Sequence, residues 1–286
     1  MPELLYTGYK GAGLAHIVVV SGFNLALLAG AVSAVLRRWF QPALGSLLAA
    51  AVIIAYTAFT GGEPPVVRAA IMALVALPAG WLGRRAAALN SLAIAAAVMA
   101  LAEPLVLWNI SFQLSFSATL GLVLLADPLA EWLSKFWARA RGRVTEEAGA
   151  LAQFFAACIA APLACFPVSA GLFGVFNPLA LLANLLVLPL QPAMMAGGFA
   201  ALLIGVFAPA LGRIAMLPVW LLAHLTNRAA LFFGFLPVSR LALPGWAAAA
   251  SVPFLLALAG LGLRRLFCRR RAPANSRQYG DGIEQM

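Results

Sequence analysis

His16, Ser21 and Asn24 lie on one side of a segment otherwise made of hydrocarbon, Gly13 to Leu36 (GLAHIVVVSGFNLALLAGAVSAVL). At about 100° per residue, with His16 at zero, Asn24 falls near ~80° and Ser21 near ~140°. Gly22 and Gly30 on the same segment permit close backbone approach. Other polar side chains recur in apolar surroundings. Arg68 stands three residues past Pro65, and Asn109, Gln113 and Ser117 form a stripe at i, i+4, i+8. Ser111, Ser115 and Thr119 form a second stripe roughly opposite. Asn177, Asn184 and Gln191 repeat every seven residues, and His224, Asn227 and Arg228 share a face. These residues hydrogen-bond, carry charge or shuttle protons. In a membrane such groups face a bundle interior or a wet cavity, because unsatisfied they cost several kcal/mol each. Together they suggest a polar vestibule open to one side, narrowing to a half made of Leu, Ala, Val and Gly.

Two kinds of chemistry are disfavoured. His16 with Ser21-Gly22 resembles part of an intramembrane serine hydrolase, but about 140° separates the two side chains on one helix. His224 from another segment is the remaining base, and Val19 stands where a glycine two before the serine is expected. Two histidines without an intramembrane carboxylate supply too few ligands for a metal. No enzyme activity, metal or cofactor is expected. Each polar residue also has a structural alternative, as interhelical glue worth about 1 kcal/mol or less. For Arg68 and Arg228 the alternative is snorkelling to an interface. Arg68 lies in the first turn of its helix, where the dipole disfavours a cation. A helix C-terminus, Glu63, Glu103 or a bound phosphate is expected to compensate it.

The elements that position these residues are read from composition. The chain has 286 residues, 64% hydrophobic and 10% charged, which defines a polytopic membrane protein. Nine apolar segments run about 14–36, 44–59, 66–82, 86–102, 105–126, 148–170, 178–208, 214–236 and 244–263. The expected fold is an all-α bundle of about nine transmembrane helices. Its seventh helix is broken by Pro189 and Pro192, as one kinked span or a re-entrant pair. Cys158 and Cys165, seven apart on one helical face, cannot pair with each other.

Basic residues set the orientation. Fifteen of the 19 fall in alternate loops or the C-terminal tail: Arg37, Arg38, Arg84, Arg85, Lys135, Arg139, Arg141, Arg143, Arg213, Arg264, Arg265, Arg269, Arg270, Arg271 and Arg277. That places residues 1–13 outside and the C-terminus in the cytoplasm. The loop 127–149 reads as an amphipathic helix on the cytoplasmic face, from the spacing of Leu129, Leu133, Phe136 and Trp137. The tail 264–286 is polybasic and suits anionic lipids.

One ordered set of motifs resembles the ComEC family of competence proteins. It comprises Gly13-Leu14-Ala15-His16, Ser21-Gly22-Phe23-Asn24, Val67-Arg68-Ala69-Ala70-Ile71-Met72 and Asn90-Ser91-Leu92 with Glu103-Pro104. Ser111-Phe112-Gln113-Leu114-Ser115-Phe116, Asn177-Pro178, and Asn184 through Pro189-Leu190 complete it. The resemblance implies an inner-membrane channel passing single-stranded DNA into the cytoplasm during natural transformation. Implied partners are an outside DNA receptor and a cytoplasmic helicase-like motor, with a homo-oligomer also compatible. The expected path residues are His16, Ser21, Gly22, Asn24, Arg68, Asn109, Gln113, Ser115, Asn177, Asn184 and Arg228. Family members commonly add an outside oligonucleotide-binding-like domain and a metallo-β-lactamase-like domain. This chain shows neither, so nuclease activity is not carried over. Asn24 replaces the more usual histidine. The competing readings are a small-solute or anion transporter, suggested by the broken seventh segment, and a non-transporting membrane scaffold.

Overall fold

The computed structural model describes residues 3–18, 22–81, 87–141, 146–173, 175–237 and 241–242. They form eleven helices: α1 (Glu3–Gly11), α2 (Ala15–Val18), α3 (Gly22–Trp39), α4 (Pro42–Phe59), α5 (Pro64–Trp81), α6 (Ala88–Ala102), α7 (Ile110–Arg141), α8 (Glu146–Phe173), α9 (Leu179–Val187), α10 (Leu190–Phe207) and α11 (Pro209–Gly234). A 3-10 turn, Pro104–Trp108, leads into α7, and β1 (Val175–Phe176) pairs antiparallel with β2 (Leu241–Ala242). The helical class expected from composition is therefore observed.

Six stretches are long and apolar enough to cross a membrane: Ala15–Leu36, Pro42–Phe59, Ile110–Trp137, Gly149–Leu172, Leu179–Phe207 and Pro209–Gly234. The third and fourth expected segments form apolar helices with shorter qualifying stretches, Pro64–Pro78 and Ala88–Ala102. The ninth segment and the tail lie outside the described residues. Large apolar side chains, including Phe59, Leu101 and Phe207, point outward from the fold. Hydrocarbon is the solvent that suits such a surface.

Helix starts follow local chemistry. Pro64 and Pro65 open α5, where a missing N–H costs nothing, and the N–H groups of Val66 and Val67 donate to the Glu63 carbonyl. The turn before them uses Gly61 (φ +84°) and Gly62 (φ +68°), backbone angles that side chains resist.

The helices form two groups. Leu25, Ala29, Ile53, Val66 and Ala70 make one core from α3, α4 and α5, while Met99, Val106 and Phe112 extend it through α6 to α7. The second core joins Tyr9, Ala12, Leu14, Ala183, Val187, Ala229 and Ala230 from α1, α9, α11 and the segment after α1. The long α7–α8 pair links the two, since α8 also packs on α9.

Two expectations are revised. The stretch 127–149 does not begin as a separate surface helix, because α7 continues unbroken through Pro128 to Arg141. Its Leu129, Leu133 and Trp137 pack with Ala130, Ala152 and Ala156, so α8 covers part of the apolar stripe assigned to lipid, while Phe136 stays exposed. At 1.5 Å per residue α7 is about 48 Å long, well beyond an apolar layer of about 30 Å. The second is revised only in form: the seventh segment is interrupted at Leu188–Pro189, between α9 and α10, as expected, and the two helices make one apolar stretch, Leu179–Phe207. Leu188 (φ −58°, ψ −38°) and Pro189 (φ −65°, ψ −22°) stay in right-handed helical conformation, so only the hydrogen-bond ladder lapses between α9 and α10.

Candidate functional site

Arg68 is the most informative side chain. It is 9% exposed, so it is packed within the fold and does not snorkel to a surface. One guanidinium nitrogen, Nη1, donates to the Ser115 carbonyl on α7. The same carbonyl accepts from the Thr119 hydroxyl at 3.0 Å, and the neighbouring Leu114 carbonyl accepts from the Cys165 thiol at 3.3 Å. Arg68 Nε is buried without a hydrogen-bond partner. Among the described residues no carboxylate pairs with Arg68, so neither Glu63 nor Glu103 supplies the expected compensation.

Gly22 explains how the guanidinium fits. A Cβ on residue 22 would lie 2.6 Å from Arg68 Nη2, 2.9 Å from the Pro65 carbonyl oxygen and 3.2 Å from Ala69 Cβ. The glycine after Ser21 is thus a gap in the α3 wall that the arginine fills. Four elements meet here: α3 supplies the gap, α5 the cation, α7 the carbonyls and α8 the thiol. The resulting centre is a buried positive charge held by neutral oxygens.

The remaining expected residues divide by what they bond. Asn177 Nδ2 donates to the Gly11 carbonyl at 2.6 Å, and its Oδ1 accepts from the N–H groups of Leu179 and Ala180, so it caps α9 and ties α1 to it. Asn109 Oδ1 likewise accepts from the N–H of Ser111 at 2.8 Å, at the start of α7. Gln113 Nε2 donates to the Leu107 carbonyl at 2.9 Å. Ser115 contributes its backbone carbonyl to the site. Asn184 is buried, and its Oδ1 has no partner. His16 is exposed and Asn24 half-buried, while Ser21 lies outside the described residues. Arg228 is exposed and donates through Nε to His224 Nε2 at 3.4 Å, with His224 stacked on Trp220.

Three contributors were missed by reading side chains alone. The carbonyls of Leu114 and Ser115 carry no side-chain signature. Cys165 was considered only as a disulfide partner. Tyr9 was passed over in the N-terminal segment, yet its hydroxyl donates to Asn227 Oδ1 at 2.8 Å. Burial pushes the Tyr9 phenol up, which keeps it protonated as a donor.

Six apolar stretches of membrane length among the described residues, with an arginine buried between helices, define a polytopic helical membrane protein with a polar interior site. The chain belongs to the Competence protein family, whose model matches residues 1–267. It is a ComEC-family competence protein, as the motif order implied. It is 29% identical over 119 residues to ComE operon protein 3 of Bacillus subtilis (strain 168), a match covering 41% of this chain and 15% of that protein. No solved structure matches the chain.

Proposed function

We propose that this protein acts in DNA uptake as an inner-membrane channel, or channel subunit, that admits single-stranded DNA to the cytoplasm. The observation that carries the reading is Arg68: a buried cation, with no carboxylate among the described residues and one nitrogen unpartnered. Burying an unpaired charge costs several kcal/mol, so a site that keeps one is matched to an anion outside the fold. Phosphate is the anion that arginine recognises best, through charge and paired donors. Membership of the competence family supports nucleic acid as its source.

In this reading the N-terminus faces outside and the C-terminus the cytoplasm, as the basic residues require. A DNA receptor outside and a helicase-like motor inside complete the pathway. The chain itself is not an enzyme, and its basic tail contacts anionic lipid.

Arg68→Gln tests the proposal by keeping size and polarity while removing charge. Internalised DNA per inserted molecule is expected to fall by about tenfold or more, the scale of a lost hydrogen bond to a charged group. Arg68→Lys should recover part of it, returning charge without the fork. An unchanged ratio for Arg68→Gln removes Arg68 from the DNA path. Uptake of a small anion lost instead of DNA would favour the transporter reading.

A further inference from the structure

The second place where the fold leaves polar atoms stranded is the seventh span, remote in sequence from Arg68. Asn184 Oδ1 and Gln191 Nε2 are both buried without hydrogen-bond partners. Asn184 is 5% exposed. Seven residues at 100° return to within about 20° of the starting direction, so the two amides share a face about 10 Å apart along the axis. The right-handed conformation of Leu188 and Pro189 preserves that phase across the interruption.

The stretch between them is short of rungs. Pro189 and Pro192 have no N–H, so the carbonyls of Leu185 and Leu188 lose their usual donors four residues on. Leu188 O takes a substitute bond from the Gln191 N–H at 3.2 Å, three residues on. A helix with missing rungs bends more readily than an intact one. Stranded polar atoms beside such a point carry a desolvation penalty, having given up water without gaining a partner. An apolar residue of similar size would remove that penalty. Nothing in the described packing calls for an amide at either position.

We propose that Asn184 and Gln191 form a neutral hydrogen-bonding station, exposed when the span flexes at Leu188–Pro189. Its ligand is a small group carrying both a donor and an acceptor. Water and the edge of a nucleobase both fit that chemistry. The station rests on the channel reading only for the nucleobase source; its hydration stands independently.

The test uses the full chain in membranes, with Cys158, Cys165 and Cys268 replaced by Ala and single cysteines placed at 183, 184 or 191. Ala183 is fully buried and supplies the sealed reference. The probe is a small water-soluble methanethiosulfonate. Cysteines at 184 and 191 are expected to react about tenfold or more faster than the one at 183. Protection of both by a single-stranded oligonucleotide assigns the nucleobase source, and unprotected labelling assigns water. Labelling at 184 and 191 as slow as at 183 overturns the station. Asn184→Leu and Gln191→Leu supply a second arm. Each is expected to keep or raise thermal stability while lowering transport per inserted molecule. A fall in stability of each variant would mean that the amides are structural, and would overturn the station too. If the channel reading alone fails, DNA uptake is absent from the unmutated protein while the labelling contrast persists.

Discussion

Two polar regions of this molecule are made of similar residues and do opposite things. At the corner of the second core where α1 meets α9 and α11, Tyr9 meets Asn227 and Asn177 meets Gly11, so a polar residue finds a neutral partner. Gly11 on α1 and Gly234 on α11 approach the facing helix so closely that a Cβ on either would run into backbone, the Gly234 carbonyl and the Gly8 carbonyl respectively. At the junction of α3, α5, α7 and α8, by contrast, a charge is enclosed, part of its hydrogen-bonding capacity is unused, and Gly22 is the glycine that admits it. Polarity inside a membrane protein therefore does not itself mark function. Satisfied amides join helices, and an unsatisfied charge waits for something else.

The largest effect expected on that comparison comes from Gly22. Replacing it with Leu puts a branched side chain where Arg68 Nη2 and the Pro65 carbonyl already sit. Either α3 moves or the guanidinium leaves the Ser115 carbonyl, and transport per inserted molecule should fall to background. Gly22→Ala is the sharper probe: its single methyl meets Arg68 Nη2 at 2.6 Å and the Pro65 carbonyl at 2.9 Å, and only the first of these contacts depends on residue 68. In an Arg68→Gln background, where the side chain is shorter, Gly22→Ala should cost about 1–3 kcal/mol less stability than in the parent, read by thermal unfolding. Equal costs in both backgrounds would mean that Gly22 serves helix packing and has no special relation to Arg68.

The corner around α1 should respond in the reverse manner. Asn177→Ala removes a helix cap and the bond to Gly11 together. A loss of about 1–2 kcal/mol is expected. Thermal stability and abundance should drop, while transport per correctly inserted molecule stays near the parent value. Selective loss of transport at normal stability would move Asn177 from the frame to the path and erase the contrast between the two regions.

Much of this arrangement was legible in residues. Apolar runs located the helices because hydrocarbon demands them, and Pro64 with Pro65 marked the start of α5. The pairing of Ser21-Gly22 with Val67-Arg68 was visible as two motifs in order. Their contact was not, because nothing local states which helix lies against which. The α7–α8 hairpin was misread for a related reason. Leu129, Leu133 and Trp137 show an apolar stripe but do not say whether lipid or protein covers it, and Ala152 with Ala156 supplied the cover. The carbonyls of Leu114 and Ser115 were invisible because every residue has one. That Asn109, Gln113 and Asn177 bond to backbone could not be read either, because the partners are main-chain groups.

Arg228 supplies the smallest expected effect and the cleanest control for Arg68. Both are intramembrane arginines by sequence, and both had snorkelling as an alternative. The structure separates them: Arg228 is exposed, donating to His224 Nε2 at 3.4 Å, and Arg68 is enclosed. An exposed arginine reaches water or headgroups along its own stem, so little depends on a single partner. Arg228→Gln should change thermal stability by less than about 0.5 kcal/mol, as surface substitutions usually do. It should leave DNA uptake per inserted molecule within about twofold of the parent, against about tenfold for Arg68→Gln. Parallel measurement of the two variants in one membrane preparation cancels differences in insertion. Equal losses would show that positive charge anywhere on the outer half suffices, and the enclosed geometry around Arg68 would then have no special part in moving DNA.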